Sequence, residues 1–265
     1  TETSNEAELD RAIALDARVI GINNRDLHTL TVDLDTTKKL AVKIPEDRIV
    51  ISESGISSHD DVENLSPYAD GFLVGSHLVA SDNLALALRE LIFGTHKVCG
   101  LKTLEAAQAA YDCGAYYGGL IFVEASPRYI APEAAKELMA VPLNFVGVFQ
   151  NASLEFVLAT AEDLSLKAIQ LHGEESHEYI ERLREKLPES VEIFKAIDAT
   201  HFEKHQEYLT DDAIDCIVLD CQQGGTGQSF DWSIIASLPK HRYLLAGGIG
   251  EENIYRALSQ NVMGV

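Results

Sequence analysis

The sequence predicts an α/β chain carrying two (β/α)8 barrels in tandem, the first represented by its C-terminal half and the second nearly complete but lacking the end of its eighth βα unit. Three observations predict this. Short apolar runs alternate with amphipathic stretches from end to end. Strands buried on both faces of a parallel sheet read as such unbroken runs, and right-handed crossovers through the helices between them keep the sheet parallel. After His96 the alternation settles to about 25 residues per unit, and eight such units close a barrel. Two glycine-bearing strand ends, ISESGI (51–56) and LVGSHLV (73–79), then precede a run, KVCGL (97–101), that reads as a first strand. A doubly wound open sheet is the structural rival. It would usually carry a GxGxxG turn after its first strand, and this sequence has none there.

In residues 1–94 the predicted strands are 18–23, 48–54 and 71–76, and the chain opens at what reads as the end of another. The helices are 8–15, 36–42, 60–66 and 84–92, the last with a capping region at Ser81-Asp82-Asn83. In residues 95–265 the strands are 97–101, 117–123, 145–149, 168–172, 192–197, 216–220 and 243–249. Each is followed by a helix-like stretch: 103–112, 132–139, 153–163, 176–187, 201–209, 231–238 and 251–260. Met263-Gly264-Val265 begins an eighth strand. The link at Gly94-Thr95 is short, so the two barrels are expected to pack rather than swing.

Composition bounds the function. The chain has 265 residues, is 46% apolar, and carries a net charge of −21 spread along its length. It can bury a core, and its charge opposes a nucleic-acid groove or an anionic membrane surface. Any anionic substrate must be held locally, by backbone N–H groups and a few Arg or Lys. No run of about 18 apolar residues and no signal peptide is present, which predicts a cytoplasmic chain with no membrane partner. Thr1 in place of Met agrees with an internal piece of a longer protein. The four cysteines, Cys99, Cys113, Cys216 and Cys221, lack metal-type spacing, and reduced thiols are the default reading.

In a parallel barrel the chemistry sits at the C-terminal ends of the strands, with phosphate held near strands seven and eight. Cys99 lies near the end of the first strand of residues 95–265. It reads either as a core thiol or as a base. Asp220 closes four apolar residues, an expensive place for a carboxylate unless it faces the barrel mouth. Its plain reading is a helix cap, but GGTGQ (224–228) intervenes before the next helix. A thiolate and a carboxylic acid across one mouth make a base and acid pair. Arg128, in SPRYI, is either an exposed turn residue or a clamp for a substrate carboxylate. Gly247 and Gly248 are read as ending the seventh strand and opening a helix, a setting that suits phosphate. In residues 1–94, Gly55 and Gly75-Ser76 repeat that phosphate logic, and Asn23, Arg25, Glu53 and Ser54 gather polar groups at strand ends. His172, in QLHGEE, reads as a strand-end polar contact, since no metal-ligand set accompanies it.

Taken together, HKVCGL, GLIFVEASPRYI, VGVFQ, AIQLHG, IVLDCQQGGTGQSFDW and LLAGGI resemble the phosphoribosylanthranilate isomerase family of tryptophan biosynthesis, over residues 96–265. TETSNEAEL, GINNRDL, ISESGI and GFLVGS resemble the second half of indole-3-glycerol phosphate synthase, over residues 1–94. The order is that of the fused synthase–isomerase enzymes. The isomerase resemblance implies an Amadori rearrangement of N-(5-phosphoribosyl)anthranilate to 1-(o-carboxyphenylamino)-1-deoxyribulose 5-phosphate. Cys99 matches the family's general base and Asp220 its general acid, with Arg128 holding the anthranilate and Gly247 and Gly248 the phosphate. No cofactor is implied, because the substrate nitrogen supplies the electron sink. The synthase resemblance places a catalytic glutamate at Glu2 and active-site groups at Asn23, Arg25, Glu53 and Ser54. It places the phosphate cradle at Gly55, Gly75 and Ser76. The synthase's catalytic lysines lie on strands earlier than this sequence, so its loss of CO2 and water is expected to be absent. A monomer is expected, because the fusion already pairs the barrels. Two rivals stay open: another phosphosugar isomerase on the same barrel, which would be expected to use a carboxylate at the first strand, and an inert phosphate-binding piece.

Overall fold

The chain divides into two compact units, Thr1–Gly94 and Thr95–Val265. They are seen in a computed structural model that describes residues 1–81, 83–221, 229–238, 242–260 and 262–265. The GGTGQ loop therefore lies outside the described residues.

The first unit is a parallel sheet of β1 (Glu2–Thr3), β2 (Val19–Asn23), β3 (Ile49–Glu53) and β4 (Gly71–Leu73), in that order. Its helices are α1 (Glu6–Ala14), α2 (Asp35–Ala41), α3 (His59–Leu65), α4 (Ser76–Val79) and α5 (Leu84–Phe93). Side chains start them where the sequence supplies caps: Asn5 accepts from Glu8 N, Ser58 forms a capping box with Asp61, and Asn83 accepts from Leu86 N. Strand period decides burial. Ile20, Ile22 and Val50 pack with Leu9 and Leu40 beneath the helices. On the opposite face of the same sheet Val19, Ile49 and Leu73 are exposed.

The second unit is a sheet of seven parallel strands, each beside the next in sequence. They are β5 (Lys97–Cys99), β6 (Tyr117–Ile121), β7 (Asn144–Phe149), β8 (Ala168–Leu171), β9 (Glu192–Asp198), β10 (Cys216–Asp220) and β11 (Tyr243–Leu245). Alternate residues form two cores. Tyr117, Val146, Ala168, Phe194, Cys216 and Val218 pack on one face. Residues such as Ile169, Ile193, Ile217 and Leu245 pack on the other face against the helices. Met263-Gly264-Val265 closes the ring. Met263 N donates to Tyr243 O and Leu245 N to Gly264 O, while on the other side Lys97 N donates to Val265 O. The Thr95 hydroxyl also donates to Met263 O.

The helices α6 (Leu104–Asp112), α8 (Leu154–Asp163) and α9 (His177–Lys186) lie in three of the seven expected stretches. Three other stretches differ. The helix after β6 is α7 (Pro132–Ala135), which tightens at once into a 3-10 turn over Lys136–Ala140. The segment after β9 is two 3-10 pieces, Ala199–Lys204 and Gln206–Thr210, interrupted by non-helical dihedrals at His201. The one after β10 is 3-10 over Trp232–Ser237. It ends at Leu238, whose extended backbone is what a following proline in the sequence imposes.

Candidate active site

Strand register sets the first half of the site. Cys99 pairs with Gly119 on β6. A Cβ at Gly119 would lie 2.8 Å from the Cys99 sulfur, so the missing side chain there is the space the thiol occupies. Gly100 then turns the chain out of β5 with φ +90°, a conformation that favours glycine. The stem of Arg128 crosses directly over it, with Cδ 2.7 Å from where a Cβ would stand. The Arg128 guanidinium donates to Cys99 O at 3.3 Å. Its loop is pinned by the bridge of Ile121 to Tyr129 and by Ile130 N donating to Ile121 O. Cys99 and the Arg128 guanidinium, 29 residues apart, are thereby brought to one strand end through the Cys99 carbonyl. Burial pushes the Cys216 thiol up to about 12, which makes it a poor nucleophile.

Asp220 ends β10 and is buried at 8% exposure. Its Oδ1 accepts from Cys221 N at 2.7 Å, and its Oδ2 lies 3.7 Å from His172 Nε2. His172 Nδ1 is 3.1 Å from the amide nitrogen of Gln170. With that amide donating, the ring proton sits on Nε2, facing the acid. Burial holds the His172 imidazole below its usual range, against the opposing pull of Asp220. Gly247 comes up beneath: with φ +82°, its absent Cβ would stand 2.6 Å from Asp220 Oδ1. The sequence reading differs here in one respect. Gly247 and Gly248 both take positive φ and turn the chain, and α10 (Ile254–Leu258) starts six residues after Gly248. Asn253 reaches back, donating to Gly248 O and accepting from Gly250 N.

Several groups escaped sequence reading. Asp198 is the register partner of Asp220 and accepts from the Thr200 hydroxyl and from His201. Lys195, on β9, is 1% exposed and ion-pairs with Glu175 at 2.9 Å. A lone cation inside EIFKAI was the signal for it. At the opposite strand ends Glu192 accepts from Tyr117 OH at 2.6 Å and pairs with Arg242 at 2.7 Å. Among the described residues no group of His, Cys, Asp and Glu is arranged to hold a metal ion. No helix there is long and apolar enough to cross a membrane.

In the first unit β1, β2 and β3 bring Glu2, Asn23 and Glu53 together. Asn23 Nδ2 donates to Glu2 Oε1 at 2.7 Å, Asn23 pairs in register with Glu53, and the Glu53 carboxylate lies over Gly21. Ser54 and Gly55 follow with φ +67° and +85°. The Arg25 guanidinium is turned away from that cluster and donates to Leu30 O. Gly75 and Ser76 begin α4, and a Cβ at Gly75 would stand in open space. Burial and then the neighbouring Glu2 charge push the Glu53 carboxyl up. A raised carboxylate opposes folding above its folded pKa, and the opposition fades as pH falls through that pKa. Glu53→Gln is therefore expected to raise the melting temperature of the first unit at pH 7 and to give no gain at pH 4. Equal gains at both pH values, measured by thermal melts, would remove this account.

Residues 96–265 match the family model of N-(5'-phosphoribosyl)anthranilate (PRA) isomerase. Residues 1–91 match the model of indole-3-glycerol phosphate synthase. The tryptophan biosynthesis protein TrpCF of Haemophilus influenzae is 46% identical over the whole of this chain, which spans 58% of that relative's length. The crystal structure of phosphoribosyl anthranilate isomerase from Thermus thermophilus is similar at a TM-score of 0.58 and 30% identity, covering 64% of this chain and 84% of that one. Another phosphoribosyl anthranilate isomerase structure, holding reduced 1-(o-carboxyphenylamino)-1-deoxyribulose 5-phosphate, is similar at a TM-score of 0.56 and 30% identity, covering 65% and 86%.

Proposed function

The chain belongs to the N-(5'-phosphoribosyl)anthranilate isomerase family, and from that membership we propose that it isomerises phosphoribosylanthranilate to the carboxyphenylamino-deoxyribulose phosphate in tryptophan biosynthesis. The observation that carries the reading is the mouth itself: Cys99 at the end of β5, its carbonyl held by the Arg128 guanidinium, and the buried Asp220 carboxyl at the end of β10. In this reading Asp220 gives its proton to the furanose ring oxygen as the C1–O bond breaks, which leaves a protonated Schiff base. Cys99, as thiolate, takes the C2 proton, and the electron pair flows to nitrogen as the enolamine forms. Tautomerisation gives the ketose, with atoms and charge conserved. Arg128 holds the anthranilate carboxylate, and the Gly247-Gly248 turn receives the phosphate. The relative that holds the reduced product supports the substrate class. In the same reading residues 1–91 come from a barrel that acts on that product, with Glu2, Asn23 and Glu53 among its catalytic groups and Arg25, Ser54, Gly55, Gly75 and Ser76 among its binding groups. A free, charged phosphosugar substrate fits work in the cytoplasm.

The test is loss of phosphoribosylanthranilate fluorescence on adding the chain. No turnover by the folded chain would defeat the reading. Charge-assisted bonds are worth about 1.5–3 kcal/mol, so Arg128→Met is expected to raise KM by about 10- to 100-fold, with kcat falling less. An unchanged KM in steady-state assays would take Arg128 out of the site.

A further inference from the structure

We propose that the buried Lys195–Glu175 pair is a positioning element of the second unit, tying the loops after β7 and β8 together behind the sheet and so fixing the His172 imidazole against Asp220. Lys195 lies two residues from both Ile193 and Ile197 on β9 and so shares their helix-side face, away from the strand face that carries Asp220. Its ammonium donates to Gly173 O at 2.6 Å, to Glu175 Oε2 at 2.9 Å and to Leu171 O at 3.4 Å. These acceptors lie on either side of His172. Glu175, with its side chain 2% exposed, uses both oxygens. Oε1 accepts from Asn151 N at 2.9 Å, and Gly173 N donates to both oxygens. Asn151 completes the tie, accepting from Glu174 N at 2.8 Å, while His172 N donates to Phe149 O at 2.8 Å. The loop that presents His172 is thus anchored by one cation and one anion that share no atom with the mouth.

An ion pair this dry is weak evidence for stability, and the burial of its charges is better explained by what it orients. It also sets the field at the imidazole. The charged groups that bear on His172 are Asp220 from β10, Lys195 from β9, Lys97 from β5 and Glu175 from its own loop. The Lys195 charge disfavours protonation of the ring, while those of Asp220 and Glu175 favour it. A neutral ring presents Nε2–H to the acid. A protonated ring would pair with Asp220 and hold it as carboxylate, unable to donate.

This inference rests on the isomerase reading only for what the Asp220 proton does, so its test is spectroscopic. The His172 titration is followed by NMR in the full chain with labelled histidine, and the resonance is assigned by its loss in His172→Asn. Lys195→Met is expected to move the midpoint upward and Glu175→Gln to move it downward. Opposite displacements are what a merely structural loosening does not give. If a single variant does not fold, Lys195→Met/Glu175→Gln leaves no unpaired charge, and its midpoint is expected to move upward by less than in Lys195→Met. Midpoints that stay, or that move the same way in both single variants, overturn the proposal, as does an unmoved midpoint in the double variant. Opposite displacements in a chain without isomerase turnover would overturn the functional reading and leave the positioning pair standing.

Discussion

Cys99→Ser is expected to lower kcat for the isomerisation by about 10²- to 10⁴-fold, the range contributed by a positioned general base. The fold should be untouched. Serine is smaller than cysteine, so it fits the space that Gly119 leaves open beside the thiol. The Cys99 contact that holds Arg128 is made by the backbone carbonyl, which the substitution keeps. Only the chemistry changes. A thiolate can take a proton from carbon, whereas a hydroxyl in the same place stays protonated and cannot. The check is the initial rate of substrate fluorescence loss beside a thermal melt. A serine variant within about threefold of the parent rate, with an unchanged melt, would remove Cys99 as the base.

The strands were legible because each is an apolar run too short for a helix and bounded by polar or glycine residues. CIVLD and β10 coincide, Cys216–Asp220. The 3-10 segments were not legible. Local effects such as the break at His201 and the pull of a proline after Leu238 outweigh helix-like spacing there. Position along the strands made Cys99, Asp220 and Arg128 candidates, but their partners depended on pairing across strands. Gly119 lies 20 positions from Cys99 in sequence and directly opposite it in register, and Asp198 stands opposite Asp220 for the same reason. Glu175 sits in an acidic loop sequence that reads as solvated. Its burial becomes visible only once Lys195 arrives from β9. The spacing of the glycine pair suggests the opening of a helix, but two successive left-handed residues turn the chain first, so any phosphate there meets a backbone turn before it meets α10.

Asp220→Asn is expected to cost a similar factor, about 10²- to 10⁴-fold in kcat, through a different step, and the difference is measurable. The amide is nearly isosteric. Its oxygen can go on accepting from Cys221 N, now 2.7 Å from Oδ1, and it still rests on Gly247, so no cavity is created and Cys221 N keeps its acceptor. Asp220→Ala would create a cavity and remove that acceptor, which makes it the wrong variant for asking about chemistry. What asparagine lacks is a transferable proton, so opening of the furanose ring becomes limiting. Removal of the C2 proton comes later and is no longer exposed in the rate. With substrate deuterated at C2, the kinetic isotope effect on kcat should therefore shrink toward unity in Asp220→Asn and persist in full in Cys99→Ser, where the proton transfer from carbon is itself the crippled step. If both variants kept the full effect, Asp220 would not be the acid that opens the ring. The buried carboxylate would then have to act at the same step as the thiol, as an anion rather than an acid.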